Sequence, residues 1–351
     1  MVSLTCAKEL SEKVRYKEDL PSLAQEHDYD LSAHKDSMLR HGLLISPSLT
    51  PLLEQRIVEV CENLGVPRDC ISAFVHNSAE VQADCFIDTP TTCVLRFSSG
   101  LINLMDADEF KFVISHELGH FLLNHGRCNQ YVKKSSSQDF IIRRAMEISA
   151  DRIGFLGLNN LEKSLQAIIK TASGLDNKFL RFDIASFISQ ADLLSRPERG
   201  ESSSSTHPSM LVRCRALLWF SMKVHSIKNI NKTEIKAIDK LVEKDLEKFV
   251  DGNIRIKKRE LLDDIVLWKA SELIVYSGNF KKETQDNMIE MFGVEKVESL
   301  KSFFEMFSPE ELVEEVSKKL YAALHELNEN FSASAHQLED EAFEKAYAIA
   351  G

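Results

Sequence analysis

The sequence predicts an α+β fold that is followed by an all-α region. Three short segments rich in β-branched and aromatic residues lie close together, at Ile71–Val75, Ala83–Ile87 and Cys93–Phe97, and turn-like stretches separate them. Apolar residues recur at helical spacing before and after these segments. From about Asn231 to Ala350, charges of both signs alternate with Leu, Ile and Val, which is typical of a helical bundle.

The composition is that of a folded, acidic protein. The chain has 351 residues, with 43 Lys+Arg against 54 Asp+Glu, a formal net charge of −11 and 44% hydrophobic residues. This length allows one large domain or two ordinary ones. General affinity for nucleic acid depends on clustered basic residues that meet phosphates. We therefore expect no nucleic-acid partner.

The sequence also predicts a soluble, cytoplasmic protein without a membrane span. A spanning helix needs about 20 mostly apolar residues, and the most apolar segments, around Phe112–Leu123 and Leu217–Phe220, are too short or are broken by polar residues. The start of the chain lacks the basic end and apolar run of a signal peptide. The seven cysteines include no CxxC pair, so we expect reduced thiols and no Cys-based zinc site.

Composition and periodicity suggest three parts. Residues 1–46 are predicted to form a helical lead-in, residues 47–225 the α+β domain, and residues 226–351 a helical C-terminal domain. A helix is expected from Pro47 to Leu64, because Gly65 and Pro67 are stop signals.

A second helix is expected to carry the chemistry of the α+β domain. Asp106 and Glu109 have the form of a capping box at its start, and Gly126 is the expected C-cap about 20 residues later. Further helices are predicted between two polar loops. The loops are Arg127–Asp139 and Arg196–Ser205, and the helices are Ile141–Leu158 and Leu161–Ala172.

The segment SHELGHF at 115–121 contains an HExxH motif, formed by His116, Glu117 and His120. Two His four residues apart on a helix project from one face and can reach a single metal ion. Neutral imidazole suits Zn²⁺, and the intervening Glu would lie where it can take a proton from bound water. Apolar neighbours indicate that the helix is buried, where His and Glu need partners. The alternative is a surface helix with two ordinary His.

The next predicted helix offers a third ligand. Glu147 and Asp151 are four residues apart in RRAMEISADRIG, so both side chains lie on one face. Glu147 could ligate the metal, and Asp151 could accept the second N–H of a metal-bound His. In the alternative interpretation, Glu147 pairs with Arg143 or Arg144, and Asp151 with Arg152, on a solvated face.

These motifs resemble those of the gluzincin metallopeptidase family that includes the HtpX heat-shock proteases, the CaaX prenyl endopeptidases and the BepA-like proteases. HELGH is followed, 27 residues after its second His, by EISAD, which is similar to the family's HExxH and ExxAD motifs. The resemblance implies that His116, His120 and Glu147 bind Zn²⁺, that Glu117 is the general base and that Asp151 supports a ligand. It also implies a zincin-like domain with a small, mostly antiparallel sheet over the HExxH helix.

A third motif, THPSMLVR at 206–213, is similar to the family's HP motif. It implies that His207 and Arg213 line the active site and stabilise the oxyanion. Because a Ser-rich loop precedes His207, this side chain could also swing onto the zinc and hold the enzyme latent; the alternative is a His fixed in the cleft wall. The segment QADCF (Gln82–Phe86) departs from the family's NAF-type motif.

The resulting functional hypothesis is a zinc endopeptidase that cleaves soluble protein substrates. An extended peptide is expected to add to the edge strand near Ala83–Phe86. The alternative is a scaffold protein with a structural zinc site, whose helical C-terminal domain binds a partner. Residues 268–293 faintly resemble TerB-like helical modules; a plain bundle is the alternative. Within this region Trp268, Phe303, Phe304 and Phe307 are expected in the core, whereas His125, His225, His325 and His336 are expected at the surface.

Overall fold

The computed structural model describes residues 4–16, 32–128, 132–193, 209–224, 230–278 and 280–350. Contacts divide the chain into two compact units. Unit 1 comprises Met1–Asn129 and Ile141–Asp251, and unit 2 comprises Gln130–Phe140 and Gly252–Gly351. The domain bounds expected from the sequence, 1–46, 47–225 and 226–351, stay a prediction, because compact units defined by contacts are not the same as independently folding domains.

The helices in the described part of the chain are, in order, α1 Leu4–Glu12, α2 Ser32–His41, α3 Pro51–Leu64, α4 Ser99–Leu104, α5 Ala107–Leu122, α6 His125–Cys128, α7 Ser137–Leu158, α8 Leu161–Ser173, α9 Ile184–Ser189, α10 Met210–Lys223, α11 Lys232–Leu246, α12 Gly252–Ser277, α13 Lys282–Phe292, α14 Val294–Glu305, α15 Pro309–Phe331 and α16 Ala335–Ala350. The strands are β1 Leu43–Leu44, β2 Ile71–His76, β3 Ala83–Thr89 and β4 Thr92–Ser98.

The four strands form one mixed sheet in the order β1-β2-β4-β3. The three longer strands confirm the prediction, whereas β1 has only two residues and gave no pattern. The sheet is mostly antiparallel, as expected, because two of its three strand pairings are antiparallel. The central pairing, between β2 and β4, is parallel. The chain passes from β2 to the outer position β3 and then returns through a tight turn, so β4 lies between them. Within the described sheet, β3 is therefore an edge strand.

The helix that carries the HExxH motif begins as predicted but ends earlier. Asp106 accepts hydrogen bonds from the N–H groups of Asp108 and Glu109, and the Glu109 side chain completes the capping box. The helix ends at Leu122 and does not reach Gly126, because Asn124 adopts a left-handed conformation with φ 55°. The chain changes direction at this residue.

Other boundaries differ from the prediction by a few residues. Helix α3 begins at Pro51 and not at Pro47, and proline is common at the first position of a helix. The helix ends at Leu64, and Gly65 caps it in a left-handed conformation with φ 71°. The predicted helix from Ile141 starts four residues earlier, at Ser137, and thus shortens the predicted polar loop. The second predicted loop, 196–205, lies outside the described residues.

Helices α5 and α7 approach each other closely at small residues. A Cβ on Gly119 would lie 3.1 Å from the Cα of Ala150, and a Cβ on Gly154 would lie 2.7 Å from the Phe112 ring. A Cβ on Gly157 would clash with a side-chain oxygen of α5. We call Gly119, Gly154 and Gly157 the glycine seam. Their lack of side chains allows the two helices to bring buried polar groups into contact.

Unit 2 is helical, as expected, and α12 packs along α15 and α16. The Trp268 and Phe303 rings meet edge to face at 5.4 Å between centroids, and Phe303 and Phe307 meet at 5.1 Å. These aromatic residues contact one another but are only half-buried, so the prediction that they lie in the core is wrong. Within the described residues, no helix combines the length and apolar character needed to cross a membrane.

The glycine seam yields a stability prediction. We expect Gly154→Ala to lower the free energy of unfolding by about 1–3 kcal/mol, because the added methyl group overpacks a buried contact. Adding Phe112→Leu should recover part of this loss by making room for the methyl group. Urea unfolding followed by circular dichroism measures both changes.

Gly126→Ala is the matched control for this prediction. Gly126 is exposed and helical, and its added Cβ would contact only the end of the Ile87 side chain, at 3.3 Å. We expect a change within about 0.5 kcal/mol there. Equal stability of Gly154→Ala and the parent would contradict the close packing described here.

Candidate metal centre

Two His side chains of α5 and one Glu of α7 converge at a single point. The Nε2 atoms of His116 and His120 are 3.2 Å apart, and each lies 3.5 Å from a carboxylate oxygen of Glu147. One ligand atom from each residue lies within 4.8 Å of the other two. His116 and Glu147 are 8% and 9% exposed, so this is not the surface helix with ordinary His that was the alternative.

The donor set fits Zn²⁺. The Nδ1 atom of His116 lies 3.0 Å from Oδ1 of Asp151, and because a carboxylate accepts, Nδ1 carries the proton. The Nε2 lone pair of His116 is thereby directed at Glu147 and His120. Two imidazole nitrogens and one carboxylate, with a cleft beside them for water, are the ligands of many catalytic zinc sites.

Asp151 connects the candidate ligands to α10. Arg213 donates from Nε to Oδ2 of Asp151 at 2.8 Å and from Nη2 to Oδ1 at 2.6 Å. Its Nη2 also lies 3.8 Å from Oε2 of Glu147. Asp151 is only 2% exposed, and Arg152 pairs with Asp239 at 2.6 Å. The alternative of an Asp151–Arg152 pair on a solvated face is therefore wrong.

The structure brings most of the predicted site residues together. His116, Glu117, Glu147 and Arg213 line one cleft, and Asp151 is hydrogen-bonded to two of them, His116 and Arg213. His207 falls outside the described residues, so its position and the latency hypothesis stay predictions.

The electrostatics favour a cation between these carboxylates. Burial lowers the pKa of His116, but hydrogen bonds to Asp151 and Glu147 outweigh it and raise the pKa to about 10. Burial raises the pKa of Glu147, yet the contact with His116 holds it well below its usual range. Burial lowers the pKa of His120 to about 4, so this imidazole is neutral at pH 7 and its nitrogen lone pair is available. Without a metal, His116 is therefore protonated at pH 7, and a bound cation would replace that proton. The ionised Glu147 and the neutral His120 already suit metal ligation.

Glu117 lies in the wall of the cleft, and its carboxyl group titrates near neutral pH. It is 8% exposed and lines the cleft. Burial raises the pKa of its carboxyl group to about 7, despite the opposing effect of His116. A carboxyl group that titrates near neutral pH can both take and return a proton during one reaction.

The cleft has a volume of about 430 Å³ and two different sides. One side is formed by residues 81–84, which lead into the edge strand β3. The other side is mainly apolar and includes Leu101, Phe112, Val113, Ile168 and Met210. An extended chain could therefore lie along β3 and place one side chain against the apolar wall.

Sequence reasoning missed one residue of the centre, His125. It was expected at the surface but is 5% exposed, and its Nδ1 lies 2.8 Å from Nδ1 of His120. The helix break at Asn124 causes this placement, and the turn-forming Asn before Gly126 was the available signal. His325 and His336 are exposed, as predicted, and His225 lies outside the described residues.

Residues 47–142 match the family model described as Peptidase family M48. No curated protein and no solved structure matches the chain. The matched range contains His116, Glu117 and His120 but ends before Glu147. The match supports a metallopeptidase and the resemblance to gluzincins.

The hydrogen bonds of Asp151 lead to a test of the metal centre. We expect Asp151→Asn to weaken Zn²⁺ affinity by about 10–100-fold, because the amide is uncharged and its NH₂ group would replace one of the two oxygens that accept from His116 and Arg213. Competition with a chromogenic chelator measures this affinity.

Asp245→Asn is the matched control, because Asp245 also pairs with an arginine of α10, Arg215, but is absent from the ligand cluster. Its Zn²⁺ affinity should stay within twofold of the parent value. Equal affinities of Asp151→Asn and the parent would refute the supporting role of Asp151.

Proposed function

We propose that the protein is a zinc-dependent endopeptidase that hydrolyses peptide bonds of protein substrates. The observation that carries this proposal is the convergence of His116, His120 and Glu147 beside the proton-accepting Glu117, in a cleft next to an edge strand. The family match over residues 47–142 supports the same class of enzyme.

The proposed chemistry assigns one role to each side chain. His116, His120 and Glu147 would hold Zn²⁺, which supplies Lewis acidity towards the scissile carbonyl and towards water. Glu117 takes the proton of the attacking water and passes it to the leaving amine. Arg213 keeps Asp151 ionised and oriented, and together with His207 it would stabilise the oxyanion.

The substrate would bind as an extended peptide. Edge strands present unpaired backbone N–H and C=O groups, and β3 could therefore bind a peptide by main-chain hydrogen bonds. Asp84 of β3 faces the cleft but is paired with Arg96 at 2.5 Å, which offsets its charge. Main-chain contacts and the apolar wall would thus determine binding more than substrate charge.

The peptidase hypothesis is favoured over the scaffold alternative. A purely structural metal site needs no buried carboxyl group such as Glu117 beside it, and the matched family consists of peptidases. A partner of the C-terminal helices, the cytoplasmic location and the preference for soluble substrates stay predictions. Latency through His207 likewise remains a hypothesis.

Glu117→Gln tests the proposed mechanism. The amide keeps the shape of the side chain but cannot accept the proton, so we expect cleavage of casein to fall on the order of 10²–10⁴-fold. Zinc content, measured on the same samples, should be unchanged. Glu62→Gln, an exposed change on α3, serves as the control with parental activity.

Cleavage by Glu117→Gln at the parental rate would refute the general-base assignment. A parent that binds Zn²⁺ but cleaves no unfolded protein, even after substitution of His207 by Ala to remove any latency, would favour the scaffold alternative.

The apolar wall predicts a sequence preference. We expect cleaved bonds to share an apolar residue adjacent to the scissile bond, because its burial against Phe112 and Ile168 contributes about 25 cal/mol per Å². Mass spectrometry of a proteome digested by the parent, with Glu117→Gln as background, measures this preference. Cleavage sites without any enrichment of apolar residues would contradict the assignment of the wall.

A further inference from the structure

His125 reaches the metal centre because α5 is interrupted. In a continuous helix, five residues correspond to about 140° of rotation, so His125 would point away from His120. The left-handed Asn124 ends the helix and reverses this direction. Arg15, in the segment after α1, donates from Nη2 to the carbonyl oxygen of Leu123 at 2.6 Å and thereby stabilises the turn.

The contact between the two rings is specific. The Nδ1 atoms of His120 and His125 are 2.8 Å apart, and the rings meet edge to face at 4.9 Å between centroids. His120 directs its other nitrogen, Nε2, at Glu147 and His116. A histidine that offers Nε2 to a metal keeps its proton on Nδ1. His120 must therefore donate this hydrogen bond, and His125 must accept it.

Acceptance at Nδ1 places the proton of His125 on Nε2. This nitrogen is buried and has no hydrogen-bond partner among the residues that the structure describes. A buried donor without a partner is unfavourable. A ring that accepts at Nδ1 and carries its proton on Nε2 is neutral. The hydrogen bond between Nδ1 of His125 and Nδ1 of His120 offsets the unfavourable burial of the unpaired Nε2–H group of His125.

We propose that His125 is a positioning residue of the metal centre that accepts the Nδ1 proton of His120 and so directs Nε2 of His120 at the metal. His125 thus accepts a hydrogen bond from Nδ1 of His120, as Asp151 accepts one from Nδ1 of His116. The proposal rests on the zinc site of the proposed function. The two supports differ in charge, since Asp151 is an anion and His125 is neutral. A neutral acceptor gives less electron density to the ligand, so the bound cation stays more electrophilic than with two carboxylates.

A matched pair of substitutions tests this role. Leu and Asn have nearly the same shape, and Oδ1 of Asn occupies the same position along the side chain as Nδ1 of His. We expect His125→Leu to weaken Zn²⁺ affinity by about 10–100-fold, whereas His125→Asn should retain most of the affinity because it still accepts the hydrogen bond. His325→Leu, at an exposed position of unit 2, is the control and should bind as the parent does.

Zn²⁺ affinity is measured by chelator competition on the full chain, and the visible spectrum of the Co²⁺-substituted protein reports ligand geometry. Circular dichroism identifies variants that have lost the fold. If His125→Leu unfolds, nitrogen NMR of the zinc-loaded parent decides instead. It should show the proton of His120 on Nδ1 and that of His125 on Nε2, and the opposite tautomers would overturn the proposal.

The outcomes separate this proposal from the proposed function. Equal affinities of the parent, His125→Leu and His125→Asn would overturn the role of His125 but leave the zinc site intact. A folded parent that binds no Zn²⁺ would overturn the zinc site and, with it, the role of His125.

Discussion

The close approach of α5 and α7 is the constraint on which the candidate centre depends. His116 and His120 lie on one helix and Glu147 on the other, and their ligand atoms meet because the glycine seam allows the two helices to approach closely. A larger residue at Gly119 would meet the α7 backbone one turn from the ligands. The same three glycines therefore determine both the packing of α5 against α7 and the positions of the charged groups that these helices carry.

The second requirement is that buried charges compensate one another. Glu147 and Asp151 are carboxylates at 9% and 2% exposure, a burial that is unfavourable for isolated anions. Arg213 pairs with Asp151, and His116 lies between the two carboxylates. The same principle applies at the start of α5, where buried Glu109 pairs with Lys170 at 2.6 Å. Each carboxylate is therefore held in one orientation, which a metal site needs.

The sequence predicted the three main strands, most helices and the residues that converge, because these depend on local periodicity and on the i, i+4 spacing. It did not predict the parallel pairing of β2 and β4, which depends on where the chain returns to the sheet. The sequence-based prediction also placed His125 at the surface, because it did not include the left-handed conformation of Asn124, which changes the direction of the chain. Helical spacing gives the face of a residue only as long as the helix is continuous.

The contact between Arg15 and Leu123 has a practical consequence for the definition of the catalytic unit. The family match begins at residue 47, whereas the turn that presents His125 is stabilised from the segment after α1. Tyr16 adds a second link, because its N–H donates to Ser149 Oγ on α7 at 2.9 Å. A fragment cut to the matched residues would contain HExxH but would lose most of α7 and the hydrogen bond from Arg15 that stabilises the turn after α5. The minimal folding unit is thus larger than the minimal motif.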